Sequence, residues 1–270
     1  MMKGPQKHYL LFMLGVIALC IGWFDSLGHL FHIIWTVDTF SHGLFVPFIS
    51  AALIWSRRTS LKKIPVGYSL WGCVVLMVAT ILWLMGTAAE VRLFEHIALV
   101  LALQGIIISA FGVRFYKAIL FPSLFLFLMI PFGQSIVTPL QLITAEMVIA
   151  SLNLLGIEYQ AEGVLITLSS GLYEVAQACA GVRFFFTSLV TGVLLSHLVF
   201  ESVWRRIAIL IASMIVPVAA NIVRVLTILL IAENTDQSFA KDVDHIVYGW
   251  GFLSVVLVIL IADCISVFGY

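Results

Sequence analysis

"TPLQLITAEMVIASLNLLG", Thr138 to Gly156, is the stretch on which the topology of this chain turns. It reads as a helix. Thr138 can cap it, Pro139 suits a first helical position, Gln141 can reach back to complete a capping box, and Gly156 closes the far end. Gln141, Glu146, Ser151 and Asn153 nevertheless make it a poor lipid span. Whether it crosses a membrane or lies on one sets the side of everything downstream.

A membrane is implied by the residues around it. Of 270 residues, 62% are hydrophobic and only 10% are charged, whereas soluble domains carry about 25% charged residues. Apolar runs near the spanning length of roughly 17–25 residues fall at 9–24, 42–56, 67–87, 94–112, 115–131, 182–200, 207–231 and 249–268. The first begins as a signal peptide does, with a basic head and an apolar core, but lacks a small-residue cleavage site, so an uncleaved helix is expected. Net charge is zero, and no basic patch points to nucleic acid as a partner. No internal repeat or low-complexity linker interrupts the chain, which is read as one integral membrane domain over 1–270.

The positive-inside rule decides how Thr138–Gly156 lies. With 139–155 on the surface, eight runs crossing and the N-terminus inside, the inner side holds Lys3, Lys7, Arg57, Arg58, Lys62, Lys63, Arg114, Lys117, Arg205 and Arg206. The outer side keeps Arg92 and Lys241, a ratio of ten to two. A crossing at 139–155 would move Arg205 and Arg206 outside. The expected fold is therefore an all-α polytopic membrane protein of about eight transmembrane helices, with 139–155 as an amphipathic helix on the outer leaflet. After it, the β-rich runs Val164–Leu168 and Leu172–Val175, separated by Ser-Ser-Gly, read as a short hairpin on the outer face. Two strands alone are marginal, so the hairpin must pack on the surface helix or on a substrate.

Directly after the hairpin, "YEVAQACAGVRFFF" places Glu174, Cys179 and Arg183 at the mouth of the sixth span. Cys20, Cys73 and Cys264 sit in apolar runs as small core residues. Cys179 alone has polar company, and no second outer-face cysteine offers it a disulfide. A thiol at a helix N-terminus beside an arginine is in the environment of a nucleophile, because both features favour the thiolate. Arg224 lies inside an apolar helix three residues after Asn221, so the two share a helical face. Intramembrane charge is expensive and marks function by default, the alternative being a structural pair that pins two helices. His245 stands on the same outer side; by itself it reads equally as an interfacial belt residue. Together the three suggest acyl transfer: Cys179 attacks a carbonyl, His245 protonates the leaving amine, and Arg224 stabilises the thiolate or the oxyanion. A zinc site from Cys179, His245 and His42 lacks tight ligand spacing, so no metal and no cofactor are expected.

At these residues the chain resembles the exosortase/archaeosortase family, multi-pass membrane enzymes regarded as cysteine transpeptidases. "EVAQACAGVR" looks like the nucleophile block, "PVAANIVR" like the Asn-x-x-Arg block, and "DHIVYGWGF" like the His block. Upstream, "FSHGLFVPFISAALIWSRR" is similar to the family's early Ser-His-Gly segment, which adds His42 to the supporting set with Glu174, Gly181, Arg183 and Asn221. Ala180 stands where serine is expected, Val182 where leucine is common and Gln177 where glutamate is frequent; these departures bear on subtype, and His245 favours the bacterial branch.

The resemblance implies a substrate: secreted proteins ending in a short motif (Pro-Glu-Pro in the best-known branch), an apolar helix and a basic tail. Cleavage would occur on the outer side of the cytoplasmic membrane, with transfer to an unknown glycan or lipid acceptor. The substrate helix, in the lipid bilayer beside the bundle, would bring its motif to Cys179. Glu174 then orients the hairpin or Arg183, or is a solvated charge. Two rivals stand beside this reading. One is a purely hydrolytic membrane cysteine protease. The other is a polysaccharide-export or transport component, which inverted repeats and broken helices at matched positions would favour; the sequence has neither.

Overall fold

The structure, a computed structural model, describes residues 4–234. The last predicted span, His245 and Cys264 therefore lie outside the described residues. The chain divides into two compact units, Met1–Phe132 and Gly133–Tyr270.

The first unit is helical. α1 (Gly4–Gly22) is followed after Trp23 by α2 (Phe24–Thr36), bent from it by 82°. A 3-10 helix over Asp38–Leu44 leads into α3 (Val46–Ser56), and α4 (Arg58–Leu61) caps the basic loop. Then come α5 (Leu70–Ala88), α6 (Arg92–Phe111), α7 (Val113–Ala118), α8 (Leu120–Phe125) and a 3-10 turn at Leu126–Met129. α6 is the central element. Its buried residues run around the helix from Ala98 and Leu99 to Ile106 and Phe111. Small residues let its neighbours approach, as in membrane helix pairs generally. A methyl on Gly105 would come within 2.8 Å of Leu76 on α5, and one on Gly15 of α1 within 2.8 Å of Ile106.

In the second unit α9 (Gln134–Leu154) leads into three antiparallel strands, β1 (Gln160–Glu162), β2 (Leu165–Leu168) and β3 (Gly171–Glu174), in the order β1-β2-β3. A 3-10 turn at Gln177–Cys179 precedes α10 (Val182–Leu198), and α11 (Val203–Asn234) runs back against it. Ile166 and Leu168 from β2, with Val175 just after β3, bury with Ala145, Val148 and Leu152 of α9 and with Val225 and Leu229 of α11. The sheet survives because helices cover one face, as expected of strands too short to stand alone.

Among the described residues five helical segments are long and apolar enough to cross a membrane, or six if the bent α1–α2 pair is one span. Several expectations change in detail. The run 115–131 is not one helix. Pro122 has no N–H to give the carbonyl of Ala118, and the chain breaks at Ile119 (φ −109°, ψ 20°), leaving α7, α8 and a 3-10 turn. The helix expected at 139–155 starts earlier, at Gln134, so Pro139 lies inside it and Thr138 does not cap it. It ends at Leu154, and Gly156 takes the expected positive φ (69°). The helix is long and apolar enough to cross, so length alone does not separate a surface position from a span. The expected hairpin gains a third strand, β1, whose three side chains are all exposed.

Candidate active site

Cys179 ends the 3-10 turn, where its amide donates to the carbonyl of Ala176 at 2.8 Å. Ala180 and Gly181 then carry the chain into α10. Gly181 is left-handed (φ 73°), and a Cβ there would come within 2.6 Å of Asn221 Cγ, so the position requires glycine twice over. The thiol is half-buried and in no disulfide. Two residues separate it from the first turn of α10, whose unsatisfied amides favour negative charge nearby.

α11 presents two polar groups to this end of α10. Asn221, 1% exposed, donates from Nδ2 to the Cys179 carbonyl oxygen at 2.7 Å. Its own Oδ1 is buried and accepts no bond among the described residues. One turn further, Arg224 is buried, its guanidinium 5.5 Å from the centre of the Phe184 ring in the first turn of α10. The shared face of Asn221 and Arg224 thus meets the entry to α10 as their spacing predicts. The structure brings Cys179, Gly181, Asn221 and Arg224 into one region. Arg183 begins α10 beside them and is half-buried.

Other predicted residues are placed differently. Glu174 is exposed at the end of β3. His42 belongs to the first unit, buried in its 3-10 helix, with Nδ1 3.2 Å from the Thr39 carbonyl and Nε2 3.2 Å from that of Leu128. A neutral imidazole can donate to only one of them. His245 lies outside the described residues, as does any set that includes it. Among the described residues no three His, Cys, Asp or Glu side chains could hold a metal ion.

Two supports escaped the sequence reading. Gln141 on α9 donates to the Val175 carbonyl at 2.7 Å and so holds the strand that feeds the Cys179 loop. Glu233, at the end of α11, accepts from Ser169 Oγ, from Ser170 Oγ at 2.5 Å and from the Ser170 amide at 3.2 Å, all in the β2–β3 turn. Both are polar residues in apolar helices, and that was the available signal. Their partners, 34 and more than 60 residues away, were not legible.

The family model described as transmembrane exosortase matches residues 34–262. No curated protein and no solved structure matches the chain.

Proposed function

The chain belongs to the transmembrane exosortase family and is a multi-pass membrane protein; from this premise we propose that it is a cysteine transpeptidase that cleaves C-terminal sorting signals. Its substrates are secreted proteins bearing a motif, an apolar helix and a basic tail. The Cys179 thiolate attacks the carbonyl carbon of the scissile peptide bond. The tetrahedral oxyanion is stabilised by Arg224, and the C–N bond breaks as His245 gives a proton to the leaving amine. The tail departs and the substrate remains as a Cys179 thioester. A nucleophile on a glycan or lipid of the cell surface then attacks the thioester, giving its proton to the now neutral His245 as the C–S bond breaks and the thiolate is released.

The observation that carries this reading is the Asn221–Cys179 bond. A half-buried thiol at a helix mouth is held by its own main chain to the helix that also carries a buried arginine one turn on. A structural cysteine in an apolar core needs neither.

The sidedness follows from the charges. We take the loops with Arg57–Lys63, Arg114–Lys117 and Arg205–Arg206 as cytoplasmic, residues 113–129 as a broken crossing, α9 as lying on the outer leaflet, and eight crossings in all. Cys179 and His245 then face outward from the cytoplasmic membrane, where secreted substrates arrive.

Mass spectrometry of the mature substrate isolated from cells tests the reading. Added mass on the new C-terminus, lost in Cys179→Ala, is expected. A free carboxylate in nearly all molecules would leave a hydrolytic membrane protease, and unaltered processing in Cys179→Ala would end the thiol mechanism.

A further inference from the structure

Sheet edges in folded proteins are paired, covered, or blunted by charge, proline or brevity. The two edges of the sheet in the second unit differ in this. β1 is three residues long, fully exposed, and has Gln160 and Glu162 at its ends. β3 reads Gly-Leu-Tyr-Glu, with neither lysine nor proline, and its Leu172 is 65% exposed. The register fixes which main-chain groups β3 turns outward. Its pairs with β2 are Leu168–Gly171, Thr167–Leu172, Ile166–Tyr173 and Leu165–Glu174. One step on, Val175 donates its N–H to the Val164 carbonyl at 2.9 Å. Antiparallel partners alternate between bonded and non-bonded pairs. Gly171 and Tyr173 therefore bond to β2, while Leu172 and Glu174 aim their main-chain groups at the open edge.

The Glu174 carbonyl is taken by the Ala176 N–H at 2.9 Å. The N–H and C=O of Leu172 and the N–H of Glu174 have no partner among the described residues. This edge is continuous with the candidate active site. Val175 is held on both sides, its N–H by Val164 and its carbonyl by Gln141 Nε2 at 2.7 Å. The Cys179 N–H then turns back to the Ala176 carbonyl at 2.8 Å. Cys179 is five positions after Glu174, so the thiol lies at most about 18 Å beyond the end of the strand, and the turn shortens that distance.

We propose that the β3 edge docks the extended segment of the substrate just before the cut, which joins the three strands as a fourth. The proposal rests on the transpeptidase reading above. Cys179 lies beyond the C-terminal end of β3, so the acyl side of the scissile bond runs parallel to β3. Consider the substrate residue opposite Leu172. The residue before it accepts from the Leu172 N–H. The residue after it donates to the Leu172 carbonyl and accepts from the Glu174 N–H. These three main-chain bonds hold any sequence in register, and strand addition of this kind draws its affinity from them. Specificity comes from alternate side chains, which fall beside Leu172 and Glu174 on the face opposite that of the buried Ile166 and Leu168. A segment must be extended to pair in this way, so the site reads the stretch before the apolar helix and not the helix itself.

The test uses the full chain carrying Cys179→Ala in nanodiscs, so that turnover does not enter. The probe is a synthetic peptide covering the segment before the apolar helix in a secreted protein of the same genome that has the motif, helix and basic tail. Its amides are N-methylated one at a time. Methylation should weaken binding by about tenfold or more at alternate amides, the loss expected for one main-chain bond, and little at those between. Leu172→Pro removes an outward N–H and no bond to β2, a place where edge strands tolerate proline; it should weaken binding by a similar factor. Leu172→Ala, which keeps the amide, should weaken it less. Equal effects at consecutive amides, or Leu172→Pro binding as tightly as the parent, would overturn the proposal. No binding by the parent, or a changed oligomeric state in Leu172→Pro, would assign the edge to this chain or to a second copy and overturn it too. The chain with Cys179 intact separates the two readings. Alternation without cleavage keeps the docking strand and ends the transpeptidase, and cleavage without alternation does the reverse.

Discussion

The side-chain amide of Asn221 donates to the main-chain carbonyl oxygen of Cys179 at 2.7 Å, across 42 positions of sequence. The donor residue is only 1% exposed and the bond is partly buried. Asn221→Ala should cost about 0.5–1.5 kcal/mol by removing the bond to the partly buried carbonyl. Asn221→Asp should cost more, because a buried carboxylate would face that carbonyl. Unfolding in detergent reads the stability, and the rate of Cys179 alkylation by a small reagent reads the position of the thiol. Unchanged alkylation rates in both variants would mean that Asn221 does not set that position.

Gly181→Ala should disturb the same bond from the other side. A left-handed backbone costs a non-glycine residue about 1–2 kcal/mol, and the new methyl would overlap Asn221. Because both substitutions act on one space, Gly181→Ala combined with Asn221→Ala should fall well short of the sum of the single effects. Additivity within about 0.5 kcal/mol would contradict the shared contact.

Arg224 is buried against the Phe184 ring. Arg224→Ala should lower kcat/KM by about 100–1000-fold, as loss of one donor to a developing charge does. Arg224→Lys should recover only part of this, since an ammonium lacks the planar fork that stacks and donates together. Phe184→Leu should weaken the anchoring of the guanidinium by about 0.5–2 kcal/mol and have a smaller effect once Arg224 is already lysine. An equal effect of Phe184→Leu in both backgrounds would show that the ring does not hold the guanidinium.

The topology is checked with single cysteines and an impermeant reagent on intact cells. Cys179 and a cysteine introduced at Lys241 should be reached from outside, and cysteines at Arg57 or Lys63 should not. Labelling within 57–63 would overturn the assigned sidedness.

Much of this was legible from local properties. The α5 and α6 helices match the runs at 67–87 and 94–112 because hydropathy over twenty residues is a local signal. β2 and β3 follow from β-branched and aromatic residues on either side of Ser169-Ser170-Gly171, and Gly156 from the need for a left-handed helix end. β1 was missed because Gln160–Glu162 has no apolar alternation; it pairs through main-chain groups that the neighbouring strand offers. Pro122 carried a readable warning against a continuous helix at 115–131, which the hydropathy of the run concealed. The α1–α2 bend left no comparable mark, since α2 is itself apolar on the face that buries Leu30 and Ile34.

The sequence by itself determined a helical membrane protein of the exosortase family, with Cys179 at the mouth of a helix and Asn221 and Arg224 on one face of another. Those properties depend on residues a few positions apart, through hydropathy, helical period and backbone preference. Only the tertiary structure decided that the Asn221 amide holds the Cys179 carbonyl, that Arg224 lies against Phe184, that Glu233 gathers the β2–β3 turn, and that Glu95 is buried against Ser26 and Arg92. Each of these depends on which groups the folded chain brings together from positions far apart in sequence, which no local property of the residues specifies.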